Sequence, residues 1–550
     1  MPRININEID SSRYVNPAES APMTVLVPGT ASFGPVFTSD NPEVFTFVGD
    51  DDLINFYNTF GVNPAKYVDT NKVLRTLSGD LSFEYVTNLL HSGATVQFYR
   101  LNSGKAATGG SSANGALISA KYGGRFGNML IVDVQSVRST SSATSKTDVI
   151  VSVYRNTFEA TDILVPSNNV TLIKKLPRLI SARVSTDETS QYFVDSVDLK
   201  YINITLENLT ALVGTGNATY NLFGGLDYAP DGQAIDEVTA IHNLLVDLKN
   251  SYMNFSDQYL FDFDIVSTGG ITSEDTIEKD EDRVTFEAIN DEVTNLCETR
   301  KDCFAPLDTP MEYDYTKVTN YASSQESSYT AIYAPWCSFV SSTTGRTVTM
   351  PPSFIFMKAL LLGMESQVDA ELWYVPAGVQ RTSAPFIVAP VYQIGSTILD
   401  EFQNNNEYRV NPIMRLRNYG YCIYGNATCK QSITGVPHSA LESLNVRLIA
   451  NAVKKHIFEV CSGLSFDYNN SQLWLSFYSQ MDEKLLYMKR HYGLYDYKII
   501  MDASTVTTEA MNERRVPGKV LISPTLAGEF FDIDFEIVPS GVTFTTEEEA

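Results

Sequence analysis

Few residues in this chain are arranged for bond-making chemistry. The five histidines stand at 91, 242, 438, 456 and 491, too far apart to form a local ligand set. His438 precedes Ser439, a pairing that could suggest an activated hydroxyl. Ser439, however, stands where a helix should begin and is better read as its cap. The six cysteines, at 297, 303, 337, 422, 429 and 461, form no Cys-x-x-Cys, and no histidine stands beside them at zinc spacing. Free buried thiols are the expectation. The phosphate-cradling Gly-x-x-x-x-Gly-Lys-Ser/Thr loop and the dinucleotide Gly-x-Gly-x-x-Gly loop are missing from the sequence. So are His-Glu-x-x-His and Gly-x-Ser-x-Gly. The residues therefore predict no catalytic site, no metal site and no cofactor, and a protein that is not an enzyme.

Charge narrows the partners. The 550 residues carry a formal net charge of −25, which argues against nucleic acid contact or binding to an anionic membrane. The acidic runs from Ser273 to Asp282 and at Glu547–Glu549 read as solvated loop and chain end. One cationic cluster stands out, formed by Lys484, Lys489, Arg490 and His491 at the end of an expected helix over 472–491. Cations there favour the helix dipole whatever else they do. At about 100° per residue, Lys484 and His491 share a face, while Lys489 and Arg490 point elsewhere. No apolar run approaches the roughly 20 residues of a membrane span, so no membrane insertion is expected. The longest, Phe354 to Gly363, is interrupted by Lys358 and reads as a buried helix. After Met1-Pro2-Arg3 the isoleucines are isolated, so no secretory leader is expected, and synthesis in a cytoplasm is.

The length predicts several domains. Residues 1–23 lack periodicity and read as an extended arm. Residues 24–102 read as an α/β unit: a strand at Thr24–Val27, a helix capped by Asp50–Asp52 and running to Gly61, a helix over Ser82–His91, and a strand over Thr95–Leu101. The Gly-, Ser- and Ala-rich stretch 104–115 marks a linker. From Ala116 to about Val213 the chain reads as all-β, a β-rich domain inserted over 103–220. A further α/β region spans 221–410, with helices over 236–253, 284–296 and 352–363 and strands over 260–266, 304–307 and 330–333. Region 411–515 holds two long helices. The first, 439–460, buries Leu441, Leu444, Leu448, Ala452 and Val453. The second buries Trp474, Phe477, Met481, Leu485 and Met488. Residues 516–550 supply two strands, 518–524 and 529–538, and an acidic tail. In the last strand Phe531, Ile533, Phe535 and Ile537 face one side, and Asp532, Asp534 and Glu536 the other, as in a half-buried antiparallel strand. Such a strand completes its own sheet or is lent to a neighbour.

Between these elements lie turn and packing signatures in a fixed order. They are Tyr122–Asn128 (Tyr-Gly-Gly-Arg-Phe-Gly-Asn), Tyr333-Ala334-Pro335-Trp336, Pro351-Pro352-Ser353, Pro376-Ala377-Gly378, Asn411-Pro412-Ile413, Tyr424-Gly425, Asn445-Val446-Arg447-Leu448, Trp474 and Pro524–Glu529. Singly each is loop chemistry. As an ordered set they resemble the tail sheath proteins of contractile phage tails and related injection machines. The resemblance is good over 300–541, weak over 24–102, and limited to its start in the inserted region. Tyr424 stands where the family usually has Trp, and Leu448 where it has a second Arg.

The resemblance implies an α+β multidomain fold: a mixed α/β core sheath domain built from N- and C-terminal parts, an inserted β-rich, outward-facing domain, and extended terminal arms. It implies a structural subunit that polymerises as stacked hexameric rings around a tail tube. Contraction would drive the tube through the host cell envelope for genome delivery. Implied partners are other copies of the chain, the tail tube protein, and baseplate and tail terminator proteins. The implied location is the virion tail, assembled in the bacterial host cytoplasm. The resemblance also implies strand exchange through Phe531, Ile533, Phe535 and Ile537, and tube binding at Lys484, Lys489, Arg490 and His491. Three alternatives stay open: the sheath of a bacterial contractile injection system, a host-surface-binding, adhesin-like virion protein, and a hydrolase with an unrecognised acidic site.

Overall fold

The computed structural model describes residues 23–529, apart from 40–41, 70–72, 111–115, 138–147, 157–176, 216, 229–234, 273–283, 367–370, 404–407 and 433–437. Most of residues 1–23, and the strand carrying Phe531, Ile533, Phe535 and Ile537, therefore lie outside the described residues. The chain is an α+β protein with several sheets. It divides into two compact units, 1–466 and 467–550.

The first unit opens with β1 (Thr24–Gly29), β2 (Phe45–Val48), α1 (Leu53–Phe60), the short pair β3 (Tyr67–Val68) and β4 (Leu74–Arg75), α2 (Ser82–His91) and β5 (Thr95–Arg100). β1 is buried along nearly its whole length, because it runs parallel to β5 in the sheet interior. Asp50–Asp52 form a 3-10 turn rather than a carboxylate cap. Asp52 turns back instead: one oxygen accepts from Val48 N at 2.9 Å, the other from Asn55 Nδ2 at 2.8 Å.

The inserted region holds β6 (Thr108–Gly109), β7 (Ile118–Ala120), β8 (Leu130–Ser136), β9 (Asp148–Arg155), β10 (Arg178–Ser185), β11 (Ile202–Asn203), α3 (Leu206–Thr215) and β12 (Ala218–Asn221). One sheet has the order β10-β9-β8-β12, the other β11-β7-β6. The all-β expectation fails at α3. Leu206, Leu209 and Leu212 recur at helical spacing, and Leu209 and Leu212 are fully buried in the same cluster as the valines of β8 and β9.

The chain then returns to the first sheet. α4 (Glu237–Ser251) is capped by Asp236, which accepts from Thr239 N at 2.9 Å. β13 (Ile265–Val266) adds to β1 in parallel, giving the order β13-β1-β5-β2. This strand is shorter than the 260–266 expected. Tyr259 and Leu260 stand 80% and 71% exposed, in a turn where Asp257 accepts from Tyr259 N at 2.8 Å.

α5 (Phe286–Arg300), β14 (Ala305–Leu307), α6 (Tyr315–Ser324), β15 (Thr330–Ala334), β16 (Cys337–Val340), β17 (Thr347–Met350), α7 (Pro352–Glu365), β18 (Ile387–Pro390), α8 (Ser396–Gln403), β19 (Asn411–Leu416) and β20 (Gly420–Ile423) complete the body. They form sheets of order β14-β15-β19-β20 and β17-β16-β18. α7 is buried over nearly all its surface. Its Lys358 amine donates to Ser92 Oγ at 2.7 Å, and burial lowers its pKa to about 8.

The unit closes with α9 (Leu444–Leu464). Ser439 accepts from Leu441 N, and Glu442 reaches back to Ser439 N at 2.8 Å, a capping box around a short 3-10 turn. Residues 444–449 are all buried, while Leu441 and Ala452 are half-buried rather than core. The helix therefore enters the body by its first turns.

The second unit is α10 (Ser471–Arg490), β21 (Leu494–Ile500), α11 (Thr508–Asn512) and β22 (Lys519–Pro524). α10 buries Leu473, Phe477, Met481, Leu485 and Met488. Leu473 takes the core place expected of Trp474, which is half-buried and donates its indole N–H to Asn469 Oδ1 at 2.9 Å. β22 pairs antiparallel with β21, a strand the sequence reading did not anticipate.

Candidate assembly surfaces and the buried motif network

Asn470 caps α10, accepting from Gln472 N at 2.9 Å and Leu473 N at 3.1 Å. The other end carries the cationic cluster. There the Lys484 amine lies 5.6 Å from the Tyr487 ring centroid. The His491 ring packs tilted against the same tyrosine, with centroids 4.1 Å apart. Lys484, Tyr487 and His491 thus form one column. Lys489 leaves it, donating to Asp496 Oδ1 of β21 at 2.8 Å and holding that carboxyl below the usual carboxylate range. Arg490 is exposed. Tyr492 and Tyr495 add two rings, 85% and 78% exposed, to the same end of the unit. The sheet beneath has two strands, and both outer edges are unpaired among the described residues. A two-stranded ribbon is marginal alone, and an open edge is a template for another strand.

Most of the sequence signatures lie in the first unit, and several of those are interior. In Tyr122–Asn128, a Cβ on Gly123 would stand 1.9 Å from Gly104 O, and one on Gly124, at φ +145°, 1.9 Å from Ser32 O. Only bare backbone fits such an approach. Arg125 N then donates to Asp227 Oδ1 at 2.6 Å, and its guanidinium lies 3.4 Å from Oδ2. Asp227 also accepts from Lys66 N at 2.8 Å and is fully buried. Burial raises its pKa and Arg125 opposes the rise. Asn128 pairs with the Gly225 backbone in both directions, at 3.0 and 2.8 Å.

Pro351-Pro352-Ser353 opens α7 against a second buried carboxylate. Asp308 accepts from Ser353 N at 2.9 Å, Ser353 Oγ at 2.6 Å and Thr268 Oγ1 at 3.2 Å. Tyr85 OH lies 3.0 Å from Ser353 Oγ. An acid, a hydroxyl and a phenol in contact resemble catalytic equipment, but all three are buried. Their bonds close a helix start instead.

Asn411 acts as a stretch of backbone. It accepts from Ala427 N at 2.8 Å and donates to Ala427 O at 2.8 Å and Ile332 O at 3.2 Å. Asn426 pairs with Asn445 side chain to side chain at 2.9 Å and accepts from Asn445 N at 3.1 Å. Arg447 lays its guanidinium 4.0 Å from the Tyr329 ring centroid and donates to Ser328. These four signatures each grip a distant segment of the first unit, so their order records one way of assembling that body. The sequence reading missed Asp227 and Asp308, whose partners are remote in the chain.

Among the described residues no group of His, Cys, Asp and Glu could hold a metal ion, and no helix is long and apolar enough to cross a membrane. No protein-family model matches the chain. Two curated proteins match in part. The tail sheath protein of Enterobacteria phage T4 is 23% identical over 190 residues, 34% of this chain and 28% of that protein. The tail sheath protein of Vibrio phage KVP40 is 23% identical over 172 residues, 31% of this chain and 24% of that protein. The chain is a relative of the contractile tail sheath proteins. The matched stretch spans about a quarter of each of these relatives. This sheath relative also shares its fold with a sheath tail protein from Listeria innocua, with a TM-score of 0.53 covering 88% of this chain and 89% of that one, at 12% identity.

Proposed function

We propose that the chain is a subunit of a contractile tail sheath. Copies stack as hexameric rings around a tail tube in the virion tail, and contraction drives the tube through the host envelope for genome delivery. The observation that carries this reading is the sequence likeness to two phage tail sheath proteins. The unfinished β21–β22 ribbon supports it, since a strand from a neighbour would cover an edge and link subunits by main-chain hydrogen bonds. Residues 1–23 and the alternating face of Phe531, Ile533, Phe535 and Ile537 are the proposed exchange segments. The column of Lys484 and His491, with Arg490, is the proposed tube-facing surface. Lys489 serves mainly to tie α10 to β21. Baseplate and terminator proteins would meet the ends of the stack, and the inserted β-rich domain would face outward.

Negative-stain microscopy of the concentrated protein should show hollow tubes with a helical repeat. Deleting residues 1–20 should leave a soluble subunit with unchanged far-UV circular dichroism that forms no such tubes. Tubes at normal yield from the deletion would remove the arm from the scheme. For the tube-facing surface, Lys484→Glu with Arg490→Glu should abolish co-assembly on a tube protein while the subunit stays folded. Undiminished co-assembly would move that contact elsewhere.

A further inference from the structure

The β19–β20 hairpin carries a surface that the assembly segments above do not use. Arg415 and Arg417 are both exposed, and Arg415 sits opposite Tyr421 in the ladder. Tyr419 at the turn is 66% exposed and Tyr424 beyond the hairpin 40%. Arginine and tyrosine are the residues most enriched where protein interfaces concentrate their binding energy. Neither arginine has an ion-pair partner among the described residues, in a chain whose net charge is −25. The partner that fits is therefore an acidic protein surface.

Such a surface lies on the same body. α5 turns Glu287, Asp291 and Glu298 to solvent, positions that share one helix face. Glu287 and Asp291 have no cation paired to them among the described residues. Their charge is felt locally, since both oppose ionisation of the buried Tyr321 phenol, after burial itself. Arg415 lies in β19 and Arg417 in the turn that follows it, so both cations stand at one end of the hairpin, as both carboxylates stand about one turn apart on α5. The two surfaces also lie towards opposite ends of one sheet. β20 is one edge strand of β14-β15-β19-β20, and α5 packs on β14, the other edge. Complementary patches at opposite ends cannot satisfy each other within one copy. Between copies they repeat head to tail, the arrangement that generates rings or helical filaments.

We infer that the Arg415/Arg417 hairpin of one copy docks on the Glu287/Asp291 face of α5 in a second copy of this chain. The contact rests on the sheath reading for its role and names one of the subunit interfaces. Sedimentation velocity of the full chain tests it. Wild-type protein should self-associate, more weakly as salt rises. Arg415→Glu with Arg417→Glu should weaken association about tenfold or more, and so should Glu287→Lys with Asp291→Lys. Mixing the two reversed variants should restore association, because each then offers what the other lacks. Far-UV circular dichroism confirms that both variants fold. A wild-type chain that stays monomeric at low salt, reversed variants that associate normally, or a mixture that fails to recover would each overturn the docking. Microscopy separates this from the sheath reading: helical tubes unaffected by the reversals would leave the sheath and remove the contact. Charge-swapped association without tubes would do the opposite.

Discussion

Asp227→Ala should lower the stability of the 1–466 unit by about 3–5 kcal/mol, the cost of breaking a buried ion pair from one side. Asp227 is fully buried and accepts from two backbone amides, Arg125 N and Lys66 N, at 2.6 and 2.8 Å. Its charge also faces the Arg125 guanidinium, itself 1% exposed, and acts on Arg100, whose pKa burial lowers to about 10. Alanine leaves two amides and a guanidinium in an interior that cannot solvate them. Asn102 Nδ2 donates to the Asp227 carbonyl at 2.7 Å, a bond the substitution keeps, so the loss is that of the carboxylate alone. Asp227→Asn, which retains an acceptor but not the charge, should fall between wild type and alanine. Denaturant unfolding measures all three. The Arg183–Asp148 pair, whose arginine is 45% exposed, gives the contrast: Arg183→Ala should cost no more than about 1 kcal/mol. Equal losses at the two sites would mean that Asp227 is not an anchor.

Asp308→Asn should change how stability depends on pH. Burial raises the Asp308 carboxyl to about 6 from an ordinary 3.8, against the pull of its bonds to Ser353 and Thr268. The folded state therefore holds this proton more tightly than the unfolded chain does. The associated stability is fully present below about pH 4 and is lost as pH rises through about 6. A shift of this size corresponds to about 3 kcal/mol. Asparagine is neutral throughout. Relative to the variant, wild type should lose about that much between roughly pH 4 and pH 7, with no further change above. Parallel stability curves for the two proteins across this range would show that Asp308 does not titrate there.

Several elements were legible because one short-range signal dominated. α2 follows its expected limits, and α7 begins at the proline that opens its first turn. In α10 the four- and three-residue spacing of Phe477, Met481, Leu485 and Met488 marks the buried stripe. α3 was obscured because its leucines follow a long run of β-branched strands. β21 was obscured because its sequence, Leu-Tyr-Asp-Tyr-Lys-Ile-Ile, buries only Leu494 and Ile499, so it lacks an apolar alternation. At the candidate surfaces, sequence spacing alone united Lys484 with His491. It could not show Tyr487 between them, nor the departure of Lys489 towards a strand that had not been recognised. The carboxylate anchors were beyond reach for a different reason. Asp227 and Arg125 are 102 positions apart, and 65 acidic residues offer too many equivalent candidates.

The root of the inserted region has a consequence for how this chain can vary. The strand leaving the body and the strand returning to it run side by side, bridged at Lys105 with Leu226 and at Thr108 with Phe223. The Asn128–Gly225 pair closes them from the flank. Exit and entry thus share one doorway, and what lies beyond it adds no length that the body must span. A foreign module whose own ends meet could be added beyond this doorway provided the contacts of Arg125 with Asp227 and of Phe126 with Phe33 are kept. The insertion is in that sense the place where length can be added at least cost to the body, and the natural one for a tag, a label or a binding domain.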